Sequence, residues 1–435
     1  MTIVAIGFTQ FVGLSYERDP TEIRFNRFYF DDSVEIPPER IAGNLDIWSG
    51  HYNVLHVGTK VKQYNPEAKI FLYRNLRDVW NKNHADEYNA EEFELFKRNG
   101  WILKDITGNY VRSGDTGFLV DVGNPSYRAW VAQWFKNYAI EYNISGVWLD
   151  NCFTSREMLW EITSAPINPR TGNVWTDQEF FDTTVAIINT VKNTLGPNIY
   201  VMGNGIWNGN NWVNRKVWYQ GLMLNSSLDG IMSEGWSGNY SGTEWDNETV
   251  WLRSMDMAVW VNKNFLSKGN KLFIPLMYNA ARNSVPDGDK EKYALYSYAS
   301  MLLAAYYDGN SLGYGSYFLN QELQNLFKTN VGVPLTEYAI IPNTHVYSRE
   351  FSLAKVYVNP SNKEYLVDGF WMEPYSGKIV TRAQFAPSTE PPKYSVFAGP
   401  EIFYTTLITA VISILAIAIS FFLRYHNSNI HYNHH

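Results

Sequence analysis

Between Ile3 and Gly315, short apolar runs alternate with stretches of helical spacing, and this alternation limits the fold more than any other feature. The runs are Ile3–Phe8, Asn44–Trp48, Lys69–Arg74, Ile144–Asp150, Asn198–Asn204, Leu228–Glu234, Lys271–Tyr278 and Ser311–Gly315. Each is too short for a buried helix and reads as a strand. The intervening stretches carry helix signals. Asn65-Pro66 ends Val54–Tyr64, Asn124-Pro125 opens a helix running to Tyr142, and Thr176-Asp177-Gln178-Glu179 is a capping box closed by Gly196-Pro197. Further helices are expected from about Asp246 to Gly269 and from Lys290 to Tyr307. Strands alternating with helices make a parallel sheet, and eight units predict an α/β fold of the (β/α)8 TIM-barrel type over residues 1–330. An open doubly wound sheet is the alternative, but the chain has no glycine-rich phosphate loop.

After Pro334 the texture changes. Tyr338–Ile341, His345–Phe351, Ala354–Val358 and Glu364–Val367 are short β-rich runs split by Pro, Asn and Gly, which predicts a small antiparallel β domain over residues 331–385. Residues 386–401 read as a stiff proline-rich linker. Ile402–Leu423 is uncharged throughout and would span about 33 Å as a helix, which predicts a transmembrane anchor whose partner is the lipid bilayer. A short polar tail, 424–435, follows it. The start of the chain shows no secretory signal, so a cytosolic tail-anchored arrangement is one reading. Arg424 after the anchor and the sequons at Asn143, Asn225, Asn239 and Asn247 favour the other: a domain outside, at a cell surface or viral envelope.

A net charge of −7 argues against a nucleic-acid footprint. Aromatic residues make up 16% of the chain, and such rings suit stacking on sugars as well as core packing. The single cysteine, Cys152, excludes an intramolecular disulfide and reads as a buried thiol. There is no HExxH, Cys/His cluster, nucleophile elbow or Walker loop, so no cofactor and no metal is implied.

Two of the runs end in a carboxylate. Asp150 closes the fourth strand and Glu234 the sixth, and in a barrel both face the mouth that carries the chemistry. Glycoside hydrolysis needs such a pair, one a proton donor and the other a nucleophile or base, held in environments that separate their pKa values. Either carboxylate alone would be explained as a helix cap. Two that converge make catalysis the reading, with Asp150 as nucleophile and Glu234 as general acid/base. Arg74 is expected beside Asp150, holding it ionised, and Trp148, Cys152, Phe153 and Trp236 are expected as apolar walls. The substrate-binding candidates are Asp46, Tyr73, Arg74, Asp121, Asn151, Asn204, Trp207, Trp236 and Tyr278, with a carbohydrate as partner. Asp121 is equally explained by the helix start that follows it. His51 is a further subsite candidate.

Three stretches carry a family resemblance: Asp121-Val122-Gly123-Asn124-Pro125-Ser126-Tyr127-Arg128, Gly146-Val147-Trp148-Leu149-Asp150-Asn151 and Ile231-Met232-Ser233-Glu234. They resemble hypothetical glycosyl hydrolase family fifteen, a TIM-barrel group distantly similar to the endo-α-1,4-polygalactosaminidases and the α-galactosidase clan. The likeness covers roughly Ile3 to Val358. It implies a retaining mechanism with Asp150 as nucleophile and Glu234 as acid/base. The alternative is a glycosidase-like barrel without catalysis, serving as a glycan-binding or structural surface protein.

Overall fold

The computed structural model describes residues 24–29, 46–81, 90–114, 117–159, 162–236, 238, 246–277, 287–314 and 329–382. Eight parallel strands form a closed barrel. They are β1 (Arg24–Tyr29), β2 (Ile47–Gly50), β3 (Lys69–Asn75), β4 (Gly146–Asp150), β5 (Tyr200–Ile206), β6 (Gly230–Ser233), β7 (Leu272–Pro275) and β8 (Ser311–Tyr314). Each pairs with the next, and β1 pairs with β8. The last seam is closed by bridges from Phe273 to Asn310 and from Leu276 to Gly313.

The expected first strand, Ile3–Phe8, lies outside the described residues, and the strand that fills its place beside β2 is Arg24–Tyr29. The second strand starts later than expected. It runs from Ile47, so Asp46 sits at its N-terminal end, away from the mouth, where its carbonyl accepts from the Lys69 N–H at 2.9 Å.

Strand periodicity then sorts every side chain to one side or the other. Ile47, Phe71, Trp148, Met202, Met232, Leu272, Ile274 and Leu276 pack together as the barrel interior. Glycines make room for the large side chains. A Cβ on Gly146 would lie 2.3 Å from the Phe71 ring, and one on Gly230 would lie 1.9 Å from Met202 Sδ. The intervening positions, among them Leu72, Val147, Leu149, Val201 and Ile231, face the helices.

The helices are α1 (Leu55–Tyr64), α2 (Ala90–Arg98), α3 (Pro125–Tyr142), α4 (Asp177–Leu195), α5 (Gly209–Asn225), α6 (Glu248–Asn264) and α7 (Asp287–Ala304). Both expected N-terminal devices are present. Asn124 accepts from the Ser126 N–H at 2.9 Å. Thr176 and Glu179 form the reciprocal capping box, at 3.2 and 2.7 Å. At the bottom of the barrel Asp229 binds Lys192 at 2.6 Å and Lys271 at 3.3 Å.

The chain beyond residue 330 forms an antiparallel sheet in the order Ala339–Ile340, Tyr347–Glu350, Ala354–Asn359, Ser376–Thr381. Its fourth strand is not among the expected runs, and the expected run Glu364–Val367 lies instead in a separate hairpin of Tyr365–Val367 and Phe370–Met372. It packs on α7: a Cβ on Gly377 would lie 2.7 Å from Ala299 Cβ. Among the described residues no helix is long and apolar enough to cross a membrane. The linker and the expected anchor lie outside the described residues.

Candidate active site

The side chains one step above the interior layer form the mouth. On β3 this position is Tyr73, on β4 Asp150 and on β5 Asn204, and beyond β6 it is Glu234. Period two places them there: Trp148, Met202 and Met232 lie directly beneath, two residues earlier in each strand.

One amide joins the two carboxylates. Nδ2 of Asn204 donates to Oδ1 of Asp150 at 2.7 Å and to Oε1 of Glu234 at 2.8 Å. Two legs of that length meeting at one nitrogen hold the oxygens no more than 5.5 Å apart. Asp150 has two further donors. The Tyr73 hydroxyl donates to Oδ2, and the Asn151 N–H donates to Oδ1 at 2.8 Å. His51 stacks on the Tyr73 ring with centroids 4.6 Å apart.

The two carboxyls differ in environment. Burial pushes Glu234 up to about 7, with the negative charge of Asp150 adding to the rise and the Asn204 amide opposing it. Burial also raises Asp150, but Tyr73, Asn151 and Asn204 all oppose that rise. Three donors to one carboxylate against one to the other favour ionised Asp150 and protonated Glu234.

Arg74 does not stand beside Asp150. The side chains of Tyr73 and Arg74 alternate across the sheet, so Arg74 points into the helix layer. There it binds Glu92 on α2 at 2.9 Å and lies over Trp134 and Trp130 on α3, at 4.4 and 5.0 Å. The ionising partner of Asp150 is the phenol of its neighbour.

Other candidates are also relocated. Asp46 is at the opposite end of the barrel. Asp121 is 1% exposed and held by Arg170 through two contacts of 2.9 and 3.1 Å, with the Gly123 N–H on Oδ1 at 2.9 Å, so its oxygens serve the fold. Trp236 is buried, and its indole N–H donates to the Ser297 carbonyl of α7 at 3.1 Å, which aims the ring into the helix layer instead of the mouth. Cys152 and Phe153 likewise belong to the helix-side core, so of the expected wall by Asp150 only Trp148 lies beneath it. The thiol is buried and pushed up to about 12 by that burial. Trp207 follows β5 at the mouth end and is half-buried. Tyr278 lies outside the described residues.

The residue after Asp150 makes an elbow. Asn151 has φ of +55°, a left-handed conformation that Asn tolerates. Arg77 holds the elbow: its Nε donates to the Asn151 carbonyl at 3.0 Å and its Nη2 to the Phe153 carbonyl at 2.9 Å and to Thr184 Oγ1 at 2.5 Å. Burial lowers the guanidinium to about 10, still cationic at neutral pH. Asn151 Nδ2 donates to Asp78 Oδ2 at 3.3 Å, and Asn75 Nδ2 donates to the same oxygen at 3.2 Å. Arg77 and Asp78 are the functional neighbours that the sequence reading passes over. Their signal is the polar run Asn75-Leu76-Arg77-Asp78 at the end of β3, one residue beyond the expected strand end at Arg74.

The sequence model of hypothetical glycosyl hydrolase family 15 matches residues 62–355. No curated protein matches the chain. Among solved structures, the chain is similar to the glycoside hydrolase domain of PelA from Pseudomonas aeruginosa, at 11% identity and a TM-score of 0.40 over 67% of this chain and 94% of that one. It is similar to the noncanonic maltogenic α-amylase AmyB from Thermotoga neapolitana, at 11% identity and a TM-score of 0.45 over 83% and 97%. It is also similar to the α-galactosidase TtGalA from Thermus thermophilus, at 12% identity and a TM-score of 0.42 over 70% and 65%.

Proposed function

The chain belongs to hypothetical glycosyl hydrolase family 15, and on that premise we propose that it cleaves glycosidic bonds in a polysaccharide or glycoprotein glycan with retention of configuration. Asp150 is the nucleophile and Glu234 the general acid/base. The observation that carries this reading is the Asn204 bridge, which keeps carboxylate oxygens of the pair within 5.5 Å. Retaining enzymes hold their carboxyls about 5–5.5 Å apart, whereas inverting enzymes need about 6.5–9.5 Å to admit a water.

The chemistry follows from the donors. Oδ1 of Asp150 already accepts from two N–H groups, whereas Oδ2 accepts from the rotatable Tyr73 hydroxyl. Oδ2 is therefore the oxygen that attacks the anomeric carbon. As that bond forms, the bond to the leaving oxygen breaks and the Glu234 proton passes to it. Water then adds to the anomeric carbon from the face that the leaving oxygen vacated, opposite Asp150, and gives its proton to Glu234. The ester bond to Asp150 breaks, and the carboxylate is restored. Oδ1 of Asn204 is buried and has no partner among the described residues, which suits it to accept a sugar hydroxyl. Tyr73 and Asn151 bind substrate indirectly in this reading, since each is committed to a carboxylate. Trp207 and Tyr278 remain the proposed stacking rings.

Residues 402–423 are proposed as a membrane anchor, on their uncharged length, with the barrel outside at a cell surface or envelope. Hydrolysis of aryl glycosides across both anomers tests the activity, with the configuration of the first-formed product read by NMR. Retention is expected, and Asp150→Asn is expected to abolish turnover while leaving glycan binding. Inversion would overturn the role of Asp150 as nucleophile. Binding without turnover of any glycan in the wild-type protein would overturn catalysis.

A further inference from the structure

We propose that Asn204 is a positioning residue that sets how one proton is shared between Asp150 and Glu234 through the catalytic cycle. This rests on the glycosidase reading above and goes beyond a role in holding sugar hydroxyls. Three observations carry it. First, the carboxamide nitrogen has two hydrogens, and the geometry gives one to each carboxylate, at 2.7 and 2.8 Å. Second, the backbone fixes the amide independently of its own side chain. The Asn204 carbonyl accepts from the Cys152 N–H at 2.6 Å, which ties β5 to the loop that follows Asp150. The next residue, Gly205, is so close to that loop that a Cβ would lie 2.6 Å from the Cys152 carbonyl oxygen. Third, Asn204 is 5% exposed, so its hydrogens are not competed for by bulk water.

An N–H donated to a carboxylate favours the ionised form of that carboxylate. In the resting pair the two hydrogens support both carboxylates, and Tyr73 and Asn151 tip the charge to Asp150. When Asp150 is esterified it loses its charge and becomes a poorer acceptor. The Asn204 donor then serves Glu234 alone, at the step where Glu234 must act as a base. Among the described residues, the titratable and charged groups around the pair are Tyr73 on β3, His51 stacked on it, Arg77 and Asp78 after β3, and Cys152 after β4. Of these, Tyr73 donates to Asp150 directly.

The test reads protonation on the protein itself, so it does not depend on finding a substrate. Labelling of protonated carboxyls by a water-soluble carbodiimide is followed at Asp150 and Glu234 by peptide mass spectrometry across pH 4–9. Asn204→Leu and the smaller Asn204→Ser are compared with wild type, with thermal melting as the check on folding. Both variants are expected to move the Glu234 midpoint up by about one pH unit, and Asp150 in the same direction. Folded variants whose Glu234 midpoint stays at the wild-type value would overturn the proposal. A second reading needs no change at 204. In wild-type protein carrying 15N-asparagine, the Asn204 side-chain resonances should shift as Glu234 titrates, and Glu234→Gln should remove that shift. An Asn204 signal blind to pH in the wild-type protein would also overturn the bridge. Failure of the wild-type protein to hydrolyse any glycoside would leave both readings intact and would count against the glycosidase function alone.

Discussion

The phenol of Tyr73 donates to Oδ2 of Asp150 across the β3–β4 seam, and no charged side chain is needed to hold that carboxylate ionised. Asp150 sits at a buried strand end where desolvation alone would favour the neutral acid, so the loss of a donor has a clear sign. Tyr73→Phe removes the donor, raises the Asp150 pKa and moves the acid limb of the kcat/KM profile up by about one pH unit. Activity is lost first at low pH. The pH dependence of kcat/KM on an aryl glycoside checks this, and an unmoved acid limb would mean that Tyr73 serves the substrate instead of Asp150.

Glu234 links the site to stability. Its folded pKa, about 7, lies above the unfolded glutamate value of about 4.3. The protonated form is therefore the one that folding favours. That contribution is fully present below the unfolded value and is lost as pH rises through about 7. Asp246, which burial also raises to about 7, acts in the same window. Glu234→Gln is expected to melt higher than wild type at pH 8, by about 1–2 kcal/mol, with the difference vanishing near pH 4.5. Melting curves at the two pH values check it, and an equal difference at both would show that Glu234 does not titrate in this range.

What could be read from the sequence is what a strand announces locally. Asp150, Asn204 and Glu234 each close an apolar run whose interior residues alternate with helix-facing ones, so their place at the mouth follows from period two. Asp46 and Arg74 are misplaced for the complementary reason. A one-residue error in parity, or a three-residue error in a strand start, sends a side chain to the wrong face or the wrong end. The pairing of Ile47 with Lys69 sets where β2 begins, and that pairing is a tertiary fact. The Asp121–Arg170 pair spans 49 positions, which no local pattern predicts. The first strand is another case, because the register with β2 and β8 selects Arg24–Tyr29, a run in which two arginines and an asparagine interrupt the aromatic residues, for the barrel.

The relocation of Arg74 makes its own prediction. A buried guanidinium paired with Glu92 and stacked on Trp134 supports the α2–α3 layer, not the chemistry. Arg74→Met removes a buried ion pair and the cation over the two indoles, and is expected to cost about 3 kcal/mol, with kcat/KM within about twofold of wild type. Adding Glu92→Leu should recover much of the loss, because the carboxylate that faced Arg74 is then gone as well. Urea unfolding of the single and double variants tests this. A tenfold fall in kcat/KM without loss of stability would return Arg74 to the site.

Arg349 ties the C-terminal antiparallel sheet to the end of α7. It is 1% exposed, and its Nη1 donates to the carbonyls of Leu302, Leu303 and Ala305 at 3.3, 2.9 and 2.7 Å, while Nε donates to the Thr336 carbonyl at 2.8 Å. The carbonyls of Leu302 and Leu303 lie in the last turn of α7 and that of Ala305 just follows it, the end where a helix leaves acceptors without an intrahelical donor and where a cation also meets the helix dipole favourably. The guanidinium lies 4.2 Å over the Tyr306 ring, so its face is used as well as its edge. Arg349→Met keeps the volume but strands buried acceptors, at an expected cost of about 2–4 kcal/mol. Arg349→Lys keeps the charge, but one ammonium cannot reach both the end of α7 and Thr336, so it should recover only part of that loss. Equilibrium urea unfolding ranks the three proteins. A lysine variant as stable as wild type would assign the tie to charge at the helix end, and a methionine variant as stable would remove the tie altogether.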